Sequence, residues 1–400
     1  MTEVRAVGRD PAARVDELLA ERTRATKTFF VAEAERLARV CHLMAERFAR
    51  GGRLVAFAHS PEARSDARHV AVEFVHPVIV GKRALPALGL AGEGGPLDRQ
   101  VELLARPDDI AMAFGCSTPD DGGQAAAALA IARARGCLTI GFGGSGAEWE
   151  FVPPTDDRQI AQELVETLYH VLWELVHVFF DHRGLLSGRD ARRTHDAGAS
   201  SFLYPFLGED ETDLDGVLSD VSRSVVMKAE ETSALRIQTL TDNRDGLVEA
   251  ASQLRVAFDA GGKVLALGNG GSATDAMDLV ADLHADGRAA IDLTEDAPIL
   301  TAVANDIGVD AIFSRQVIAY GLPGDALVAL STSGNSANVI AALEEARGRG
   351  LITIAFVGYD GGRIGSEELA DQVIITRSQH IPRIQEAQAT AYHAVCALVR

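Results

Sequence analysis

Short runs of apolar residues alternate along the whole chain with longer segments whose apolar positions recur every three or four residues. The helical spacing is clear in Phe29–Phe48 and between residues 216 and 258, and it predicts helices there. Short apolar strands separated by helices are typical of a parallel sheet covered by helices on both faces, so the pattern predicts an α/β fold. The predicted buried strands are Leu54–Phe57, Ile110–Phe114, Leu138–Gly141, Val264–Leu267, Ala326–Leu330 and Ile352–Phe356.

The chain contains two copies of one structural unit. ARGGRLVAFAHS (Ala49–Ser60) matches DAGGKVLALGNG (Asp259–Gly270), and each reads as a helix ending at Gly-Gly, a basic residue and a strand. Two further matches follow in the same order, at separations that grow from 210 to 223 residues. Ordered matches of this kind indicate a duplication. The further pairs are Ala128–Gly144 with Ala342–Gly358, and Gln162–Val176 with Gln385–Val399.

The segment between the copies has the composition of a linker. Residues 181–215 are rich in charge, Gly and Ser and lack a sustained period. We therefore expect an N-terminal domain over residues 1–180, a linker over 181–215 and a C-terminal domain over 216–400. Each domain is predicted to be a doubly wound α/β unit.

Composition and charge exclude several classes of binding partner for this protein. The 38 basic and 57 acidic residues give a net charge of −19, which repels phosphate backbones and anionic lipid. We expect neither nucleic-acid nor membrane binding. The N-terminus carries no apolar core of a signal peptide, so a cytoplasmic protein is expected. The four widely spaced cysteines predict buried thiols and argue against a disulfide framework or a thiolate zinc site; they are Cys41, Cys116, Cys137 and Cys396.

Two loops in the second copy carry the donors of an anion site. The strand Val264–Leu267 runs into GNGGSATDAM, in which glycines precede a predicted helix, and Ala326–Leu330 runs into STSGNSANVI. Backbone N–H groups at helix starts and nearby hydroxyl groups favour phosphate at the carboxyl ends of parallel strands. Each loop alone is also an ordinary helix cap. The loops lack the Gly-Lys-Ser/Thr of a nucleotide-binding loop and the G-x-G-x-x-G of a dinucleotide site. The candidate phosphate-binding residues are Asn269, Gly270, Gly271, Ser272, Ser331, Thr332, Ser333 and Ser336.

These loops, with NDIGVDAIFSRQV and RIQEAQATAYH, resemble the sugar-isomerase (SIS) domain family and, within it, the phosphoheptose isomerases. The resemblance covers Leu247–Arg400, and the first half looks like a diverged copy. It implies two tandem SIS domains, each with a five-stranded parallel sheet sandwiched between helices. It also implies interconversion of sedoheptulose 7-phosphate and an aldoheptose 7-phosphate, and a homodimer of this chain that mimics the family's homotetramers. Asn305, Asp306 and Gln385 match further residues that line the family's substrate site.

The resemblance also implies a divalent metal, zinc, held by His-x-x-x-Glu on the helix after the glycine loop and Gln-x7-His on the last helix. The first copy matches all four positions, whereas the second has aspartates for the first two, a harder ligand set that favours magnesium or manganese. Conversely, the first copy's loops, AHSPEA and STPDDG, are poor phosphate sites. These complementary losses motivate the hypothesis that metal residues of one half meet phosphate loops of the other. The implied ligands are His69, Glu73, Gln162 and His170 in the first copy, and Asp278, Asp282, Gln385 and His393 in the second.

An aldose–ketose isomerase moves a proton between adjacent carbons through an enediol, which a carboxylate and a histidine can do together. The resemblance assigns these roles to Glu73 with His170 in the first copy and to Asp282 with His393 in the second. Other readings remain open for these residues. Single helix histidines are commonly hydrogen-bonded structural residues, and Asp278 and Asp282 also fit an exposed helix face. The alternative function is a non-catalytic SIS protein that senses sugar phosphates or binds a protein partner.

Overall fold

The computed structural model describes residues 10–78, 82–91, 94–115, 123–181, 186 and 213–400. The described chain forms two compact units. The N-terminal unit comprises the described residues of Ala25–Glu231, and the C-terminal unit comprises Thr232–Arg400 with those of Met1–Arg24. Each unit contains one five-stranded sheet in which every strand pairing is parallel. The predicted α/β fold with two parallel sheets is therefore confirmed.

The helices and strands of the first half follow the predicted alternation. In chain order they are α1 (Pro11–Ala49), β1 (Leu54–Phe57), α2 (Pro61–Val75), β2 (Ala87–Leu90), α3 (Leu97–Leu104), β3 (Ile110–Ala113), α4 (Gln124–Ala134), β4 (Leu138–Phe142), β5 (Trp149–Phe151) and α5 (Arg158–Asp181).

The second half opens with two helices and then repeats the same succession of five strands, with additional short helices between β7 and β8 and between β9 and β10. Its elements are α6 (Leu214–Asp242), α7 (Arg244–Asp259), β6 (Val264–Leu267), α8 (Gly271–Ala285), β7 (Ala290–Asp292), α9 (Ala297–Asp306), a short 3₁₀ turn (Val309–Ala311), α10 (Ser314–Tyr320), β8 (Ala326–Ser331), α11 (Ala337–Gly348), β9 (Ile352–Gly358), α12 (Gly362–Ser366), β10 (Gln372–Thr376) and α13 (Ile381–Val399).

The boundaries of the compact units fall inside long helices. α1 begins in the C-terminal unit, where Val15 and Leu18 pack in one core with Leu240 and Leu254, and it continues in the N-terminal unit. α6 likewise begins in the N-terminal unit and ends in the C-terminal one. The predicted linker over 181–215 lies almost wholly outside the described residues.

Burial of the central strands on both faces explains their continuous apolar sequence. In β6, Val264 and Ala266 pack in one core cluster, while Leu265 and Leu267 pack in another. Successive side chains of a strand point to opposite faces, so a strand covered on both sides must be apolar at every position. β1 divides its four residues between two cores in the same way.

The order of the strands defines a switch point in each sheet. The C-terminal sheet has the order β10-β9-β8-β6-β7, so the chain winds outward from β6 to one side and then from β8 to the other. The N-terminal sheet has the corresponding order β2-β1-β3-β4-β5. Ligands of open α/β sheets bind in the crevice outside the strand ends at such a point. The crevices therefore lie beyond β6 and β8 and beyond β1 and β3.

Three of the four cysteines are described, and they are free and buried as predicted: Cys41, Cys137 and Cys396. Burial raises the pKa of the Cys41 and Cys137 thiols, so they are inert. Cys116 lies outside the described residues. No helix in the described part of the chain combines the length and apolar character needed to cross a bilayer.

Candidate active site

The glycine loop after β6 bends sharply at the switch point. Gly270 adopts φ 58° and ψ −123°, a backbone conformation that side-chain-bearing residues rarely adopt, and α8 begins at the next residue. A Cβ on Gly268 would lie 2.2 Å from the backbone oxygen of Ser272, so the strand and the helix start approach too closely for any larger residue. Gly271 and Ser272 therefore form the first turn of α8, which starts at the carboxyl end of β6, the kind of position at which helix N-termini bind anions.

The serine loop after β8 is shaped by its own hydroxyl groups. The Ser331 Oγ accepts a hydrogen bond from the Gly334 N–H at 3.2 Å, and the Ser333 Oγ accepts one from the Asn335 N–H at 3.2 Å. Because both oxygens act as acceptors here, their hydroxyl hydrogens remain available to donate to an anion. Ser336 directly precedes α11, and the Thr332 carbonyl lies against Gly358.

Two asparagines join the loops across the switch point. Asn269 Nδ2 donates to Asn338 Oδ1 at 2.9 Å, and Asn338 Nδ2 donates back to Asn269 Oδ1 at the same distance. The reciprocal pair brings the starts of α8 and α11 together. The glycine and serine loops thus converge on one crevice, where hydroxyl and amide donors can hold a phosphate group.

Behind this crevice, α8 and α13 present buried polar side chains to each other. Asp278 Oδ2 accepts hydrogen bonds from the Tyr392 hydroxyl at 2.8 Å and from His393 Nε2 at 2.9 Å. Asp282 Oδ2 lies 3.8 Å from the same His393 nitrogen. Gln385 is also buried on α13, two turns before His393. The structure therefore brings both aspartates to the histidine that the resemblance assigns to acid–base chemistry.

The corresponding helices of the N-terminal unit enclose a different cluster. Ligand atoms of His69, Glu166 and His170 all lie within 4.8 Å of one another, and all three residues are buried. The Nε2 atoms of the two histidines are 3.4 Å apart, and Glu73 Oε1 lies 3.9 Å from His69 Nε2. The Tyr169 hydroxyl is hydrogen-bonded to His69 Nδ1 at 3.0 Å, which fixes that ring. Burial, and then the neighbouring His170, hold the pKa of His69 well below its usual value, so its imidazole is neutral.

The donor set of this cluster fits a divalent metal ion. Two nitrogens bound to a tetrahedral zinc at about 2.05 Å are separated by about 3.3 Å, which the His69–His170 spacing matches. A neutral imidazole is the form that binds metals, and buried carboxylates supply the counter-charge. His69, Glu166 and His170 therefore have the spacing to hold the ion, and Glu73 lies beside His69.

Glu166 is the functional candidate that the family pattern does not contain. Gln162, the residue at the family position, instead donates to Asp66 Oδ1 at 3.2 Å. The sequence does contain an indication of this role for Glu166. It lies four residues before His170 on the same helix, and residues at that spacing lie on one helix face. The second copy has Ala389 at the equivalent position.

The phosphate loops of the first copy are only partly described. Ser60 is buried directly before α2, while the loop Ser117–Gly122 lies outside the described residues. His59 Nε2 and Gln124 Nε2 are 3.0 Å apart and join the starts of α2 and α4. His59 and Gln124 align with Asn269 and Asn338, so a polar bridge spans the switch point in both units.

Asn305 and Asp306 lie on α9 and not in either of the two switch-point loops. They are exposed at the end of α9, where Asn305 Nδ2 donates to Asp306 Oδ1 at 2.7 Å. α9 follows β7, which is the edge strand beside β6. Their assignment to the substrate site therefore stays a prediction from the resemblance.

Comparisons with known proteins agree with this geometry. The SIS domain family profile matches residues 229–358. A phosphoheptose isomerase from Rhodospirillum rubrum is 45% identical over 175 residues, which cover 42% of this chain and 92% of that protein. A phosphoheptose isomerase from Citrifermentans bemidjiense is 50% identical over 159 residues, covering 38% of this chain and 82% of that protein. The C-terminal domain of glucosamine-fructose-6-phosphate aminotransferase from Francisella tularensis shares the fold across 96% of this chain and 94% of that one, with a TM-score of 0.60 and 10% identity.

Proposed function

The chain is a member of the phosphoheptose isomerase family of SIS-domain proteins, and from that premise we propose that it interconverts an aldose phosphate and a ketose phosphate of the sedoheptulose 7-phosphate type. The observation that carries the proposal is the convergence of the glycine and serine loops through the Asn269–Asn338 pair. This crevice binds the phosphate of the sugar. The helices behind it carry the groups that move protons.

The phosphate-binding part of the proposal follows from the available donors. Gly270, Gly271 and Ser272 form the turn at the start of α8, and Ser331, Thr332, Ser333 and Ser336 surround the start of α11. Helix N-termini carry a partial positive charge, and charge-assisted hydrogen bonds to a phosphate are stronger than neutral ones. A dianionic ligand is thereby accepted at this site although the chain as a whole is acidic.

The proton-transfer part uses a carboxylate and an imidazole. Asp282 and His393 lie 3.8 Å apart in the C-terminal unit. In the N-terminal unit, Glu73 and His170 both lie close to His69, at 3.9 Å and 3.4 Å from its Nε2 atom. One member of such a pair takes the proton from the carbon beside the carbonyl and returns it to the neighbouring carbon. The other shifts the hydroxyl proton, so the sugar keeps its composition.

We assign the metal to the N-terminal cluster, held by His69, Glu73, Glu166 and His170, with zinc as the ion. A bound divalent ion stabilises negative charge on an enediolate oxygen. The histidine spacing and the neutral form of His69 support this assignment.

We also propose that two copies of the chain associate. α9 is an apolar helix, and none of its residues is buried within the chain. Ile307 and Val309, which follow it, are 58% and 62% exposed. A second copy that covers this face would remove the apolar surface from water.

The proposed activity is tested by incubating the full chain with sedoheptulose 7-phosphate and following the aldose product by NMR. We expect turnover, and we expect Ser333→Ala to raise KM about tenfold, because a hydrogen bond to a charged group contributes about 1.5–3 kcal/mol. The matched control is Ser366→Ala at the exposed end of α12, which should leave KM unchanged. Absence of turnover in the wild-type chain would contradict the proposal.

One observation favours the second candidate function, a sugar-phosphate sensor. Asp278 and Asp282 stand where the family has histidine and glutamate, so the C-terminal proton-transfer set departs from the family pattern. A sensor would show a rise in Tm with sedoheptulose 7-phosphate, would lose that rise in Ser333→Ala, and would show no turnover. The NMR assay and a thermal melt together separate the two functions.

A further inference from the structure

We propose that the C-terminal site holds no metal, and that a hydrogen-bonded group of Tyr392, Asp278 and His393 occupies the place that the metal takes in the N-terminal cluster. The inference concerns the architecture of the proposed isomerase site but does not depend on turnover, because the ion content of the protein decides it. It rests on a comparison of equivalent positions in the two units.

The repeat aligns the two sites residue by residue. His69 corresponds to Asp278, Glu73 to Asp282, and Tyr169-His170 to Tyr392-His393. In both units the first two positions lie on the helix after the first switch-point loop, and the last two lie on the last helix. The local scaffold is the same, so differences between the sites reflect the substituted side chains.

The two sites differ in the atoms that face the histidine Nε2 atom on the last helix and in their distances from it. In the N-terminal cluster, two Nε2 atoms face each other at 3.4 Å. That spacing is close to the separation of two nitrogen ligands on one tetrahedral zinc. In the C-terminal unit, His393 Nε2 donates its hydrogen directly to Asp278 Oδ2 at 2.9 Å. A nitrogen that carries this hydrogen has no lone pair left for a metal.

The equivalent tyrosines, Tyr169 and Tyr392, also have different hydrogen-bond partners in the two sites. Tyr169 is hydrogen-bonded to the Nδ1 of His69 and leaves the Nε2 of that ring facing His170. Tyr392 instead donates to the same Asp278 oxygen that accepts from His393. Asp278 Oδ2 therefore already receives two hydrogen bonds.

The C-terminal site also lacks a counterpart of Glu166. Glu166 completes the N-terminal cluster, and Ala389 stands at its position in the second copy. Among the residues that the structure describes, the His69, Glu166 and His170 cluster is the group with metal-type spacing. Asp278 thus acts as a positioning residue that fixes the tautomer and orientation of His393 without an ion.

The test measures the zinc, magnesium and manganese content of the full chain by plasma mass spectrometry after loading with each ion and desalting. We expect Asp278→Asn and His393→Ala to retain the same zinc per chain as the wild type, and Glu166→Ala to lose about one equivalent. The double variant Asp278→His with Asp282→Glu restores the family set and should gain about one equivalent. Loss of one equivalent in Asp278→Asn or His393→Ala would overturn the inference.

A kinetic readout tests the positioning role of Asp278. If the chain turns over sugar phosphate, we expect Asp278→Asn to lower kcat about 100-fold or more and to alter the pH–rate profile, with KM little changed, because general acid–base groups contribute about 10²–10⁴-fold. An unchanged kcat and pH profile would refute that role. A chain without any turnover refutes the proposed function, while the zinc measurement still decides the metal-free site.

Discussion

At the scale of single residues, the pairing of Asn269 with Asn338 shows that a loop motif does not specify the partner of each of its side chains. The sequence places Asn269 in a phosphate loop, and the structure directs its side-chain amide to Asn338 on the opposite loop. Neither residue predicts the other, because they are 69 positions apart and meet only through strand order. Their hydrogen bonds join the glycine loop to the serine loop.

Loss of this pair should weaken substrate binding. We expect Asn338→Ala to raise KM for sugar phosphate about tenfold and to lower the free energy of unfolding by about 1–3 kcal/mol, because the Asn269 amide loses both partners. Steady-state kinetics and urea unfolding measure the two effects. The rescue variant is Asn269→His with Asn338→Gln, which imports the pair His59–Gln124 and should recover part of the lost affinity. An Asn338→Ala variant with wild-type KM would show that the loops hold their positions without the pair.

At the scale of the secondary-structure elements, central strands are predictable and edge strands are not. β1 and β6 begin and end where the apolar runs do, because both of their faces are buried. The edge strand β7 is only half-buried at all three positions, and β2 is similar, so neither carries a continuous apolar run. Periodicity identifies a strand through burial, and partly exposed strands lose that signal.

Each sheet also has the same ionic contact at the start of its central strands. Lys263 pairs with Asp325 before β6 and β8, and Arg53 pairs with Asp109 before β1 and β3. Asp325 also accepts hydrogen bonds from the backbone N–H groups of Lys263 and Leu322. The basic residue that follows Gly-Gly in each copy of the repeat therefore forms an ion pair with an aspartate that precedes the neighbouring central strand.

The contact at Asp325 predicts a pH-dependent contribution to stability. Burial alone would raise the pKa of Asp325, but the hydrogen bonds from Lys263 and Leu322 outweigh it and hold the pKa below its usual value. The contribution is therefore present at neutral pH and is lost as pH falls through the acid range. We expect Asp325→Asn to lower the free energy of unfolding by about 1–3 kcal/mol at pH 7, and by less at pH 4.

Urea unfolding at the two pH values measures this effect. Asp310→Asn is the matched control, since Asp310 is exposed in the short 3₁₀ turn and should have little effect at either pH. An equal loss at both pH values in Asp325→Asn would show that its carboxylate charge does not matter.

At the scale of the whole molecule, the two units carry different side chains at equivalent positions. The N-terminal unit has a cluster with metal-type spacing, whereas the C-terminal unit has the glycine and serine loops joined by two asparagines. The proposed division of metal and phosphate binding between the units stays a prediction from the resemblance. The resemblance did not predict Glu166, or the direct hydrogen bond between His393 and Asp278.

The proposed association of two chains is a property of the whole molecule and can be measured directly. Light scattering should give twice the 42.4 kDa chain mass for the wild type. Ile307→Asp with Val309→Asp should shift it towards one chain, because charged residues cannot be buried in an apolar interface without a large penalty. Val256→Asp, at a residue that is 63% exposed on α7, serves as the matched control and should leave the mass unchanged. A wild-type mass of one chain would contradict the proposal.

The sequence by itself determined the duplication, the α/β class, the central strands and the positions of the glycine and serine loops, since each depends on local periodicity or on residues adjacent in the chain. Only the tertiary structure decided which distant side chains meet: Asn269 with Asn338, His393 with Asp278, and Glu166 with the two histidines. The physical reason is that contacts across the crevice depend on strand order and helix rotation. The spacing of a motif determines which residues lie on the same face of a helix. It does not determine which other helix or loop packs against that face.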